Sequence, residues 1–178
     1  MLTDWRPAPT HWPRIATDVQ VWRIPLDPPE ERLAACRALL ADDERARADR
    51  YHFAVDGRRF AVARGALRCI LSAITFVAPA ALTFDYDAHG KPSLAAGQTT
   101  SAVEFNVSHA GDLALVAVSA GRAIGVDVER LRPIEQMDDL VRQTFTAREQ
   151  AAFALIPLDR RRRAFFEVWT RKEAMLKA

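Results

Sequence analysis

The longest helical pattern in the chain runs from about Gly57 to Phe76. Its apolar side chains recur at helical spacing and form one stripe, made of Phe60, Ala63, Leu67, Ile70, Leu71 and Ile74. Pro79 is expected to end this helix, because proline has no backbone N–H and cannot continue one. Any fold of this chain must therefore contain at least one long amphipathic helix.

Strand and helix patterns alternate on both sides of that helix. The predicted strands are Val19–Leu26, Leu82–Tyr86, Phe105–Val107, Leu113–Ser119 and Ile124–Val128. The other predicted helices are Glu30–Leu40, one beginning near Ala41, Met137–Phe145, Ala147–Leu155, and one from about Arg160 to the end. We expect a tight turn near Gly121 between the last two strands. The pattern indicates a mixed α+β architecture with a seam near that glycine.

Composition bounds the function. The 178 residues are 49% apolar and 27% charged, which suits one domain or two small ones, and 25 basic against 23 acidic residues give a net charge of only +2. The net charge of the chain therefore does not favour nucleic acid or a membrane as a partner. The sequence has no apolar stretch long enough to span a bilayer and no signal-peptide core. Cys36 and Cys69 belong to no CxxC or zinc-finger motif. We therefore expect a cytoplasmic protein with reduced thiols.

Two carboxylates fall on one side of the last predicted strand. Side chains alternate along a strand, so Asp127 and Glu129 share a face, with Cα atoms roughly 6.6 Å apart. At that spacing both can lean toward one hard cation, and Mg²⁺ prefers carboxylate, water and phosphate oxygens. From this segment alone, a solvent-facing strand edge kept soluble by acidic residues is the favoured reading.

The last predicted helix carries an unusual face. Its members follow the i, i+3, i+4, i+7, i+8 spacing and are Trp169, Lys172, Glu173, Leu176 and Lys177. Such a face would suit a wall that buries the indole and directs a carboxylate and two lysines into a cleft, where lysines bind phosphate oxygens as point charges. The alternative is an amphipathic surface helix in which Glu173 and Lys177 pair with each other.

Ser108 and His109 follow a predicted strand and enter a small turn. Backbone N–H groups, a hydroxyl and an imidazole at such a turn make a good anion pocket, although His109 could equally be a hydrogen-bonded structural histidine. A hydrolase is rejected, because adjacent Ser and His rarely react together and no nucleophile elbow surrounds this serine. Seven arginines between Arg45 and Arg68 keep nucleic-acid binding as a weak alternative.

Taken together and in this order, the segments resemble the larger, Sfp-like 4′-phosphopantetheinyl transferases. The segments that carry the resemblance are the basic helices from Arg45 to Arg68, His89–Pro92, Phe105–His109, Ile124–Glu129 and Trp169–Lys177. Each motif is modest alone, but five in the same order and spacing are specific. The resemblance covers nearly everything from about Ala41 onward.

The resemblance implies two pseudo-symmetric α/β lobes with coenzyme A bound between them. Residues 1–121 would form the first lobe, with the basic helices that bind coenzyme A, and residues 122–178 the second, with the metal site. Because members of this family continue past the Trp-Lys-Glu-Lys helix, we expect the second lobe to be incomplete. The implied reaction transfers the 4′-phosphopantetheine arm to a serine of an apo acyl or peptidyl carrier protein and releases 3′,5′-ADP.

The resemblance also implies roles for individual residues. Mg²⁺ would be bound by Asp127, Glu129 and Glu173. The 3′-phosphate and adenosine end of coenzyme A would meet Arg59, Ser108 and His109, with Lys91 and Pro92 near the adenine. Arg47 and Lys177 would neutralise the diphosphate, Lys172 is a weaker candidate for it, and Arg64 and Arg68 are possible structural residues. We expect Glu173, or a water that it orients, to accept the serine proton, with Lys177 offsetting charge on the diphosphate.

Two rival functions stay open at the level of sequence. One is a catalytically incomplete module that binds coenzyme A or a carrier protein without transfer, and only the intact acidic triad argues against it. The other is a basic nucleic-acid-binding domain, whose binding should weaken steeply with salt. Neither nucleic acid nor membrane is expected as a partner.

Overall fold

The computed structural model describes residues 19–98 and 102–178. The strands are β1 Gln20–Pro25, β2 Phe84–Tyr86, β3 Pro92–Leu94, β4 Val103–Ala110 and β5 Leu113–Ala120. The helices are α1 Glu30–Ala38, α2 Asp42–Asp49, α3 Ala54–Thr75, α4 Met137–Thr144, α5 Ala147–Ala154 and α6 Leu158–Lys177, with a 3₁₀ turn at Pro79–Ala81. The predicted mixed α+β class is confirmed. No helix within the described ranges is both long and apolar enough to cross a lipid bilayer.

One antiparallel sheet forms the centre of the first part of the chain. Its strand order is β1-β5-β4, and β2 and β3 form a separate two-stranded ribbon. The predicted apolar stripe of α3 lies on this sheet: Leu67, Ile70 and Leu71 share a buried cluster with β-strand residues such as Phe105 and Val116. This burial holds the long helix against the sheet, since apolar area removed from water is the main stabilising contribution.

A second core lies in the helical part of the chain. Val141 of α4, Phe145 just after that helix and Phe153 of α5 pack against Phe165 and Phe166 of α6. The rings of Phe145 and Phe165 are stacked, with centroids 5.6 Å apart. This aromatic core fixes the direction of α6, and the end of α6 carries Lys177 toward the sheet.

The predicted strand at Ile124–Val128 is wrong. The segment is extended but pairs with no strand, and the hairpin lies earlier, between β4 and β5. Its backbone N–H groups are bound by side chains instead: Val126 donates to Asn106 Oδ1 at 2.9 Å, and Val128 donates to Ser108 Oγ at 3.3 Å. Because side-chain oxygens satisfy these two donors, they need no strand partner.

Gly125 lets α6 approach this segment closely. A Cβ atom at position 125 would lie 1.8 Å from the carbonyl oxygen of Ala174 on α6, well inside van der Waals contact. Only glycine fits at position 125, because any other residue would place its Cβ atom against the backbone of α6. For the same reason, no neighbouring strand could lie where α6 lies. The contact brings the end of α6 beside Asp127.

Two of the arginines in α3 are buried structural residues. Arg68 Nε lies 2.7 Å from Glu44 Oε2, and Arg68 Nη1 donates to the carbonyl oxygens of Pro79 and Leu82. Arg64 Nε lies 3.4 Å from the other oxygen of Glu44. The cluster ties α2 to α3 and to the chain that leads into β2. Arginines in a basic helix usually lie on a face exposed to solvent. Arg64 and Arg68 instead lie in the protein interior.

Replacing Glu44 with glutamine should lower the free energy of unfolding by about 3–5 kcal/mol, because two buried guanidiniums would lose their carboxylate. Urea denaturation followed by circular dichroism measures this loss. Asp43→Asn, an exposed neighbour on the same helix, is the matched control and should change stability by less than about 0.5 kcal/mol. Equal effects of the two substitutions would contradict the structural role of the cluster.

Candidate active site

A hydrogen-bonded group joins β4, the 124–128 segment and α6. Asp127 Oδ1 accepts a hydrogen bond from Ser108 Oγ at 2.8 Å and forms an ion pair with Lys177 Nζ at 2.5 Å. Lys177 Nζ also lies 3.5 Å from Ser108 Oγ. The Asp127 side chain is only 5% exposed, so the ion pair is screened little by solvent. Three predicted site residues from distant parts of the sequence are thus brought together.

The group is held in place by β4. Asn106 and Ser108 stand two residues apart on this strand, and each binds one backbone N–H of the 124–128 segment. Residues two apart on a strand face the same side, so the pair acts as a polar ladder. Sequence reasoning gave Asn106 no role; its position two residues before Ser108 was the available signal.

The second carboxylate oxygen of Asp127 has no partner. Oδ2 is buried, and no donor among the described residues reaches it. A buried carboxylate oxygen without a hydrogen bond costs free energy, which a bound cation would recover. The donor chemistry of this atom therefore fits a hard cation such as Mg²⁺.

The other two predicted metal ligands do not complete a three-residue cluster with Asp127 in the described part of the chain. Glu129 lines a cavity of about 340 Å³ whose walls include Arg132, Pro133 and Trp169. Glu173 is half-buried on α6 and forms no ion pair with any described residue. Over residues 19–98 and 102–178 the structure contains no cluster of three metal-ligating side chains.

Lys91 connects the β2–β3 turn to the end of α6. Its ammonium donates to the carbonyl oxygen of Lys177 at 2.5 Å. Asp87 shapes the turn by accepting from the backbone N–H groups of Lys91 and His89, and these bonds, that to Lys91 foremost, hold the pKa of Asp87 below its usual range. Between the turn, Asn106 and α6 is a cavity of about 410 Å³ lined by Lys91, Pro92 and Lys177. These predicted residues therefore share one cleft.

A neighbouring cavity of about 260 Å³ shares Pro92 with the cavity of about 410 Å³ and adds two more of the predicted residues. Arg47, Pro92 and His109 line it, together with the aromatic rings of Tyr51, Phe60 and Tyr86 and with Arg64. The Arg47 guanidinium lies 4.9 Å from the centroid of Phe60, a distance typical of a cation–π contact. Cationic and aromatic walls in one cavity suit a ligand that has both a phosphate and a planar ring.

Arg59 is close to this region but is engaged elsewhere. It lines a third cavity, of about 300 Å³, beside His109. Its Nε and Nη2 atoms bind the two oxygens of Asp27 at 3.0 and 2.7 Å. The hydrogen bond to Arg59 is the main cause that lowers the pKa of Asp27.

Lys172 is not brought into the cleft. Its ammonium forms an ion pair with Glu149 of α5 at 2.8 Å. Lys172 and Lys177 are five residues apart and so point about 140° apart around a helix axis. Helical spacing places both at the margins of one wide face, but only Lys177 reaches Asp127.

Two family models match the chain, and together they cover most of it. A family model described as "4'-phosphopantetheinyl transferase, N-terminal" matches residues 25–121, and one described as "4'-phosphopantetheinyl transferase superfamily" matches residues 123–178. The chain is 42% identical to the 4'-phosphopantetheinyl transferase HetI of a Nostoc species, over 98% of this chain and 73% of that protein.

Two further relatives are similar over most of the chain. The Synechocystis protein slr0495 is 35% identical over 89% of this chain and 63% of its own length. The 4'-phosphopantetheinyl transferase psf-1 of Bacillus pumilus is 26% identical over 89% of this chain and 68% of its own length. The chain therefore spans between 63% and 73% of these three relatives.

A double-mutant cycle on Asp127→Asn and Lys177→Met should show that the two side chains stabilise each other. Contacting charged residues usually couple by about 0.5–3 kcal/mol in the free energy of unfolding, so the double variant should lose less than the sum of the single losses. Lys172→Met is the matched control on the same helix, and its effect should add to that of Asp127→Asn. Additive losses in both pairs would contradict the ion pair.

Proposed function

Because the chain belongs to the 4′-phosphopantetheinyl transferase superfamily, we propose that it moves the 4′-phosphopantetheine arm of coenzyme A onto a serine hydroxyl of an apo acyl or peptidyl carrier protein. The family predicted from sequence is confirmed, and a binding-only module is not favoured. The observation that carries the proposal is the hydrogen-bonded Ser108–Asp127–Lys177 group at the edge of a cleft.

Coenzyme A would lie along the two adjoining cavities. The cavity with Arg47 and His109 has cationic and aromatic walls for the nucleotide, and Pro92 lines both cavities. The diphosphate would then lie next to Lys177 and Lys91 in the larger cavity, so Lys91 would exchange its expected place near the adenine with Arg47. Lysine ammonium groups bind phosphate oxygens as compact charges with several donors, so both residues suit this position.

Magnesium is proposed as the cofactor, held by Asp127 with Glu129 and Glu173. The support is the partnerless Oδ2 of Asp127, a buried oxygen of the kind that a hard cation binds. When bound, the ion would offset negative charge on the diphosphate oxygens. The ion and the Lys177 ammonium would lie in the same part of the cleft, and both positive charges would offset charge on the diphosphate.

Different side chains of this protein would serve different parts of the transfer reaction. The carrier serine oxygen bonds to the phosphorus that bears the pantetheine arm, and the bond from that phosphorus to the oxygen of 3′,5′-ADP breaks. Lys177 donates to the diphosphate as its charge grows, while Asp127 and Ser108 hold the ammonium in place. Glu173 accepts the serine proton; because no described residue pairs with its carboxylate, the group is available as a base.

The carrier protein would dock beside the cleft on the basic helices. Arg50 and Arg58 are exposed at the facing ends of α2 and α3, and carrier proteins are often acidic. Opposite charges of this kind speed association more than they tighten the final complex.

The transfer is tested by incubating the protein with coenzyme A, Mg²⁺ and a panel of apo carrier proteins, and reading the intact mass of each carrier. We expect one phosphopantetheine to be added, and expect a chelator or Asp127→Ala to abolish the addition. Lys172→Ala, on the same helix but outside the cleft, should leave the addition intact. Binding of coenzyme A without any gain of mass would instead support the binding-only module.

Glu173→Gln should reduce kcat by about 10²–10⁴ and lower coenzyme A affinity far less, because it removes the base while Asp127 and Glu129 stay as metal ligands. Single-turnover kinetics and calorimetric titration measure the two quantities separately. Glu167→Gln, an exposed position on the same helix, is the control and should leave kcat unchanged. Equal losses in turnover and affinity would argue against the base role.

A further inference from the structure

The hydroxyl group of Ser108 is fully occupied by the segment that carries Asp127. Ser108 lies on β4 and is only 7% exposed. Its Oγ donates to Asp127 Oδ1 at 2.8 Å and accepts from the backbone N–H of Val128 at 3.3 Å. A serine hydroxyl has one proton to donate, and here a carboxylate takes it. Ser108 therefore has no donor for a phosphate oxygen of coenzyme A unless it releases Asp127.

Both donors at Asp127 bind the same carboxylate oxygen. Lys177 Nζ lies 2.5 Å from Oδ1, the atom that also accepts from Ser108, whereas none of the described residues donates to the buried Oδ2. The torsion of an aspartate carboxylate is soft, so the group rotates readily unless it is held. A freely rotating group would share the two donors between its oxygens, since an unpartnered buried oxygen is unfavourable. The arrangement therefore indicates that the carboxylate is held in one orientation.

Ser108 is placed to hold it. The hydroxyl contacts the segment twice, at the Asp127 side chain and at the backbone of the next residue, Val128. Asn106, two residues earlier on β4, binds the backbone N–H of Val126 at 2.9 Å. One strand therefore anchors the residue on each side of Asp127, and Ser108 is the anchor that also contacts the carboxylate. The backbone position and the carboxylate orientation of Asp127 are set together.

We propose that Ser108 is a positioning residue for the metal: by holding Oδ1 of Asp127, it keeps Oδ2 fixed and unoccupied for Mg²⁺. The inference rests on the proposed function. It gives Ser108 a different task from the contact with coenzyme A that the family resemblance implies. Removing a group that orients a metal ligand typically weakens metal binding by about 10–100-fold.

The test measures coenzyme A affinity by calorimetry, with Mg²⁺ and with a chelator, which needs no carrier protein and no transfer. Mg²⁺ should tighten binding to the wild-type chain. Ser108→Ala should reduce this magnesium-dependent gain about tenfold or more, and should lower the affinity measured with the chelator far less. Ser108→Thr keeps the hydroxyl and should keep most of the gain. A phosphate contact would give another pattern, with equal losses under both conditions and an unchanged gain.

Ser119→Ala is the matched control. Ser119 is 1% exposed on β5, and its hydroxyl donates to the carbonyl oxygen of Arg122. This variant also loses a buried serine hydrogen bond but does not touch Asp127, so it should lower stability and leave the magnesium-dependent gain unchanged. Hydrogen exchange without Mg²⁺ gives a second readout: the Val128 N–H should exchange faster in Ser108→Ala and not in Ser119→Ala.

Three results would overturn the inference while the transfer reaction still stands. They are a full magnesium-dependent gain in Ser108→Ala, a loss of the gain in Ser119→Ala as large as that in Ser108→Ala, and a loss in Ser108→Thr as large as that in Ser108→Ala. A wild-type chain that binds coenzyme A equally well with Mg²⁺ and with the chelator would contradict the magnesium role in the proposed function, and the inference with it.

Discussion

The contact on which the site depends is the ion pair between Asp127 and Lys177 beside Ser108. It joins a sheet strand, an irregular segment and the last helix, none of which is near the others in sequence. Because the Asp127 carboxylate is almost fully buried, its attraction to the ammonium is stronger than that of a surface pair. The 2.5 Å separation makes this ion pair the shortest polar contact between the Lys177 side chain and the rest of the site, ahead of the 3.5 Å contact with Ser108.

Two structural arrangements make that contact possible. Gly125 allows the backbone of the segment to touch α6, and the aromatic cluster around Phe165 sets the direction of the helix. On the other side, Asn106 and Ser108 bind the segment to β4 through its backbone N–H groups. The site is therefore positioned by rigid elements on both sides, as precise phosphate chemistry requires.

The spacing of apolar residues along the sequence was sufficient to predict most of the helices and the strands of the main sheet. The predicted helix from Gly57 to Phe76 is α3, which begins three residues earlier, at Ala54, and ends at Thr75. The strand at Ile124–Val128 failed, because alternation reports an extended backbone but not what its N–H groups bind. There the partners are side chains of a distant strand, and no local pattern encodes them.

The candidate site was predictable in part for the same reason. Spacing and motif order pointed to Ser108, Asp127 and Lys177, which the structure brings into contact. Helical spacing grouped Lys172 with them, although its position around α6 directs it to Glu149. Arg64 was unremarkable in sequence, since a buried guanidinium and a solvated one look alike until tertiary packing distinguishes them.

The central claim is that the cleft beside Asp127 is where a cation and the diphosphate of coenzyme A meet. Calorimetric titration of coenzyme A, with and without Mg²⁺, into the wild-type chain and Asp127→Asn tests it most directly. The account predicts that Mg²⁺ tightens coenzyme A binding in the wild-type chain and has little effect in the variant. Coenzyme A affinity that is the same with Mg²⁺ and with a chelator would contradict it.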